Sequence, residues 1–161
     1  MSNFNKTWGG ENCYCYAVNY VTKPKEHNFN PGDFSGADYD AHQPATIAQA
    51  VVSDGGEVAS DPANPVQPAI GSKAGFYLIA CKSGGGDYHF MRRDETTGIW
   101  HQKVPMSAPG MFDSVNNIVP HVDPWMTGKA AALPYMKQWV GYFWVPDAGF
   151  VKRKRATCVI L

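Results

Sequence analysis

In "GGENCYCYAVNY", residues 9–20, two thiols stand one residue apart. Such a pair can clip a metal, close a disulfide, or supply one nucleophile beside a packed neighbour. The flanking residues suit a helix, where each residue turns about 100°, so positions two apart diverge by about 200°. Cys13 and Cys15 therefore do not share a site, and no second tight Cys or His pair stands at zinc spacing. No metal and no cofactor are expected. Cys13 falls where the first turn begins, after Gly9, Gly10, Glu11 and Asn12. A thiol there meets unpaired amides and the positive end of the helix dipole, both of which favour the thiolate. The same amides can hold a developing oxyanion. Cys15, facing elsewhere, is expected to pack. The plain alternative for both is a small buried hydrophobe.

Two histidines could serve that thiol. His89 lies in "DYHFMRRD" (87–94) and His101 in "GIWHQKV" (98–104), either side of a short "ETT" turn. The numbers of His89 and His101 add to the same sum as those of Arg93 and Thr97. A three-residue loop of Asp94, Glu95 and Thr96 would then set the histidines directly opposite, with Cβ atoms about 5 Å apart. One imidazole could act as base while the second accepts its other N–H and fixes the tautomer. His27, His42 and His121 lie in loop-like surroundings and are assigned no role.

The chain that must position these groups has 161 residues, enough for one core. It is 44% hydrophobic and 13% aromatic, the composition of a folded domain. Fourteen basic residues balance fourteen acidic ones, so no nucleic-acid partner is indicated. "MSNFNKTWGG" has no secretory pattern, no run approaches membrane-spanning length, and four cysteines in a chain of this size do not make a disulfide scaffold. The expectation is a soluble protein in a reducing compartment.

A helix is expected over 12–22, with Tyr14, Ala17, Val18 and Val21 as its apolar stripe, then an ordered surface loop from Lys23 to Asp40. A second helix runs from Pro44 to Ser53, carries Ile47, Ala50 and Val51 inward and stops at Gly55 and Gly56. Residues 57–72 read as a connector. "GFYLIACKS" (75–83) suits a central strand, 87–94 and 98–104 a hairpin, and "QWVGYFWVP" (138–146) a last strand closed by Pro146. Residues 105–137 read as irregular. Helices first and an antiparallel sheet after define an α+β fold, helices packed on the sheet.

A nucleophilic Cys opening the first helix, followed by His on one strand and a polar orienting residue on the next, resembles the NlpC-type branch of papain-like cysteine peptidases. "NCYCYAVN", "PGDFSG", "DYHFMRRDETTGIWHQK", "VDP" and "YMKQWVGYFWVP" are similar, in the same order, to a group of small bacterial proteins in that style. The likeness covers Asn12 to Pro146, with Gln102 interrupting the group's Trp-x-His-Lys strand. It implies a papain-like domain with Cys13 as nucleophile, His89 as general base and His101 as the orienting third member, and Cys15 at a variable position.

The ending "KRKRATCVIL" is separate in kind. Cys158 with Val159, Ile160 and Leu161 matches a C-a-a-X box, whose final Leu favours geranylgeranyl. Lys152, Arg153, Lys154 and Arg155 supply the basic second signal for an anionic membrane surface. Residues 1–150 are thus read as the hydrolase domain and 151–161 as a lipidation tail. The expected partners are a protein, peptide or acyl substrate, a host prenyltransferase and a membrane surface. The reading is a bacterial effector that cleaves an amide bond at the cytosolic face of a host membrane, or in the cytoplasm if unlipidated. A eukaryotic protein with an acquired domain is the rival origin. The rival activities are acyl transfer or deamidation on the same triad, or non-catalytic binding through Phe29, Phe34 and Tyr39.

Overall fold

The computed structural model describes residues 11–103 and 136–152, and the backbone of a two-residue strand at 118–119. Most of the irregular stretch expected over 105–137, His121, and the tail residues Arg153, Lys154, Arg155 and Cys158 lie outside the described residues.

Helix α1 is Cys13–Ala17, shorter than expected. The reason is Asn19, whose φ of 58° puts it in the left-handed region. Its amide donates to the Tyr16 carbonyl at 3.2 Å and that of Tyr20 to Cys15 at 2.9 Å, the paired bonds of a Schellman stop. Helix α2, Pro44–Asp54, opens on proline and ends at Gly55 with φ 126°, as its sequence signals require. Its inward residues Ile47, Ala50 and Val51 are buried.

The strands are β1 (Glu57–Val58), β2 (Phe76–Gly84), β3 (Asp87–Arg93), β4 (Trp100–Gln102), β5 (Ile118–Val119) and β6 (Gln138–Pro146). They form one antiparallel sheet in the order β1-β6-β2-β3-β4-β5. The fold is α+β, and β2 is central as its unbroken apolar run required. Strand β1 lies inside the expected connector. It has only two residues, both exposed, so neither periodicity nor burial marks it in the sequence.

Two hairpins fix the part of the sheet that matters here. Between β2 and β3 the loop is Gly85–Gly86, with φ of 62° and 79°, which two-residue hairpins favour in glycine. Between β3 and β4 the structure corrects the sequence reading. Asp94 N–H bonds Ile99 O at 2.8 Å, and Gly98 sits at φ 75°. The loop therefore closes later than the three-residue turn expected, and the register is Met91↔Gln102, Arg92↔His101 and Arg93↔Trp100. His89 and His101 do not oppose each other. A shift of three residues, being odd, puts them on opposite faces of the sheet.

One face packs against the helices and carries Tyr77, Ile79, Cys81, Tyr88, Phe90, Phe143 and Val145. The other carries Leu78, Ala80, Met91, Trp100, Tyr142 and Trp144. The loop after α1 is ordered, as expected, but its aromatics are not a surface. Phe29 and Phe34 are 6% and 2% exposed and belong to the helix-side core. Asp54, buried at the end of α2, holds the loop there. Its carboxylate accepts from Gly32 N (2.7 Å), Ser35 N (2.9 Å), Ser35 Oγ (2.8 Å) and the Tyr14 hydroxyl (2.7 Å).

Candidate active site

Asn12 organises the start of α1. Its Oδ1 caps Cys15 N at 2.8 Å, its backbone N–H donates to Asn28 Oδ1 at 3.0 Å, and its Nδ2 donates to Phe29 O at 2.9 Å. One side chain therefore ties the first turn to the returning loop. Cys15 faces that loop, with Phe29 N–H donating to its sulfur at 3.2 Å. It is packed, as the divergence of neighbouring helix positions requires.

Cys13 faces β3. In a two-residue hairpin the closing pair, here Gly84 and Asp87, is hydrogen-bonded, and pairs then alternate. Tyr88 and Phe90 accordingly turn their peptide groups away from β2, toward β4. The described pairing of β4 begins only at Met91. Cys13 lies against β3 here, its Sγ 4.0 Å from the Tyr88 carbonyl and close enough to the Phe90 amide for that group to favour the thiolate. These are the two peptide groups that flank His89.

His89 itself points to the other face, since Tyr88 and Phe90 on either side join the helix-side core. It is 3% exposed, and its Nε2 lies 3.0 Å from Gln102 Oε1. With Gln102 accepting, the proton sits on Nε2 and Nδ1 keeps its lone pair. The neighbour expected for this ring was His101. The register explains the difference: Gln102, opposite Met91, shares His89's face, while His101, opposite Arg92, lies on the helix side. The signal that could have found Gln102 is Gly98, the residue suited to a left-handed loop position just before β4.

The electrostatics differ from the sequence expectation. Burial pushes the Cys13 thiol up to about 12, opposed by the Phe90 amide and reinforced by the charges of Asp87 and Cys15. Burial likewise pushes Cys15 up to about 11. A helix of five residues has little dipole to offset the loss of water, so burial favours the neutral thiol at Cys13. Buried Lys103, on the His101 side of β4, donates to the Glu11 carbonyl, and desolvation lowers its own pKa. Cys13, Cys15 and Cys81 are free thiols. Among the described residues, no three His, Cys, Asp or Glu side chains gather as a metal site, and no helix is long and apolar enough to cross a membrane.

No protein-family model, curated protein or solved structure matches the chain.

Proposed function

We propose that the domain is a cysteine hydrolase of amide bonds, with Cys13 as nucleophile, His89 as base and Gln102 as the residue that orients the ring. The observation that carries this reading is the seating of the Cys13 sulfur against the peptide groups on either side of His89, whose ring is held by Gln102. Burial favours the neutral thiol, and the His89 ring lies on the other face of the sheet from α1, so the proposed proton transfer from sulfur to His89 Nδ1, made as the sulfur attacks the carbonyl carbon, runs past the β3 backbone at Tyr88, where the sulfur sits. The C–N bond then breaks, the same proton goes to the departing amine, and water releases the acyl group. An amine or lipid hydroxyl in place of water would make the same site an acyltransferase. The resemblance of the chain to the NlpC-type branch supports the reading and a papain-like identity for the α+β fold. The orienting role expected of His101 passes to Gln102.

The test uses p-nitrophenyl acetate as a general acyl donor and intact mass as readout. Wild type should gain one acetyl group on Cys13 with release of p-nitrophenolate, and Cys15→Ala should behave alike. Cys13→Ser should lose the thioester, and His89→Ala should slow acylation by about 10² to 10⁴. Acylation that is unchanged in His89→Ala, or that falls on Cys15, would remove the proposal. We propose further, from the Cys158-Val159-Ile160-Leu161 motif alone, that a host enzyme geranylgeranylates Cys158 and that the protein is a bacterial effector working at the cytosolic face of a host membrane. Expressed in eukaryotic cells, the protein should pellet with membranes and Cys158→Ser should not. Equal pelleting of the two would rule out the lipid anchor.

A further inference from the structure

The chain leaves the described domain at one corner. Phe150 donates its amide to the Val18 carbonyl at 3.1 Å and packs its ring on Phe34 and Tyr14, so this exit is fixed at the C-terminal end of α1. Val151, next in line, is 74% exposed. Lys152 reaches over the loop that follows α1, its ammonium 4.9 Å from the Phe29 ring centre and 3.9 Å from Glu26. That loop reverses between Lys23 and Glu26, where Glu26 N–H bonds Lys23 O at 2.9 Å. Pro24 leads the turn and Lys25 takes φ 69°, so the lysine stands at its tip. Lys23, Lys25 and His27 are exposed, and Val21 beside them is 39% exposed. The carboxylate among them, Glu26, is engaged by the Tyr20 hydroxyl at 3.0 Å and the Lys23 amide at 2.9 Å as well as facing Lys152.

We infer that this corner is a docking surface for the anionic face of a lipid bilayer, with Lys23, Lys25 and Lys152 against the headgroups and Val21 and Val151 in the interface. Two observations choose a bilayer over a soluble polyanion. The first is the pair of exposed aliphatic side chains among the lysines, which gain only where an apolar layer lies beneath the charge. The second is continuity: the surface is where the sequence continues into Arg153, Lys154, Arg155 and the C-a-a-X box. The inference takes its membrane from the tail reading above but needs no lipidation, because it is carried by residues of the folded domain. Its consequence concerns substrate. Cys13 opens α1, and the loop that bears the surface folds back to that end, where Thr22 donates its amide (3.2 Å) and hydroxyl (3.0 Å) to Glu11 Oε1. The thiol is thereby held near the bilayer, which favours amides on membrane-bound proteins or lipids over those on free cytosolic ones.

The experiment uses full-length protein made in bacteria, which lacks the prenyl group, so the result is independent of lipidation and of activity. Partition is measured into vesicles of phosphatidylcholine with and without phosphatidylserine. Wild type should bind the phosphatidylserine vesicles alone. Each lysine charge is worth roughly fivefold at such a surface, so Lys23→Gln with Lys25→Gln should weaken partition by roughly 25-fold. Val21→Asp should weaken it too, with the thermal midpoint unchanged because the side chain is exposed. Wild-type partition in the lysine double variant would show that the tail binds alone and would overturn the surface. Binding to heparin as strong as to vesicles, and indifferent to Val21→Asp, would make it a polyanion site and overturn the bilayer.

Discussion

The ionisation of Cys13 is the point at which sequence and structure disagree most sharply, and it can be measured. A thiol raised from 9.0 to about 12 by burial has about one part in 10⁴ as thiolate at pH 8, against about one part in 10 for an ordinary thiol. That is a thousandfold deficit. A more basic thiolate is intrinsically more reactive, by roughly twentyfold over three pH units of basicity, leaving native Cys13 roughly fiftyfold slower toward iodoacetamide than the same cysteine in denatured chain. Its 3% exposure can only add to the deficit. The assay is alkylation in native buffer and in denaturant, quenched and read peptide by peptide, from pH 7 to 11. The native rate should rise about tenfold per pH unit across the whole range. Linkage gives a second readout. The folded state holds this proton more tightly, so the stability tied to it is complete below pH 9 and is lost as pH rises toward 12. The loss from Cys13 is about 1 kcal/mol by pH 10 and about 3 kcal/mol by pH 11, and Cys13→Ser should remove it. A native alkylation rate that levels off below pH 9 would refute the argument and restore the resting thiolate expected from the helix start.

Other predictions concern the groups around it. Gln102→Ala should slow acylation of Cys13 by p-nitrophenyl acetate at least tenfold while His101→Gln leaves it within about twofold; the reverse order would return the orienting role to His101. Asp54→Ala strips four donors of a buried acceptor and should cost on the order of 4 kcal/mol, lowering the thermal midpoint by about 8–16 °C. A drop under about 3 °C would show that the loop does not depend on that carboxylate. Gly32→Ala should destabilise by about 3 kcal/mol or more in urea titration, because φ is 93° and a Cβ there would meet the Ala37 carbonyl oxygen at 1.9 Å.

What the sequence made legible has strong local causes. Pro44 and Gly55 bound α2, the unbroken apolar run makes β2 central, and helix geometry separates Cys13 from Cys15. What it hid depends on contacts between distant residues or on one backbone angle. The β3–β4 register turns on Gly98 at φ 75°, and a slip of three residues carried His101 to the far face and brought Gln102 to His89. Phe29 and Phe34 sit in a loop rich in turn formers and read as surface, yet Asp54, some twenty residues on, folds that loop inward. The environment of Cys13 differs from its local signal for a similar reason. The local signal, a thiol opening a helix, was real, but the five-residue helix and the burial that outweighs it are properties of the assembled domain.

The place Cys13 takes on β3 has a consequence for solubility. A strand edge with unpaired amides and carbonyls is a template on which other chains can add, and proteins cover such edges to stay monodisperse. Among the described residues, the Cys13 sulfur and the turn of helix that carries it lie against this strand at Tyr88. Hydroxyl can replace thiol there, since it donates and accepts in the same directions, whereas a methyl offers the Tyr88 carbonyl no donor. Selection on this position thus answers to two demands at once. A descendant that abandoned the chemistry would be expected to keep a small hydrogen-bonding residue at 13, and one that lost it would show the change first as aggregation.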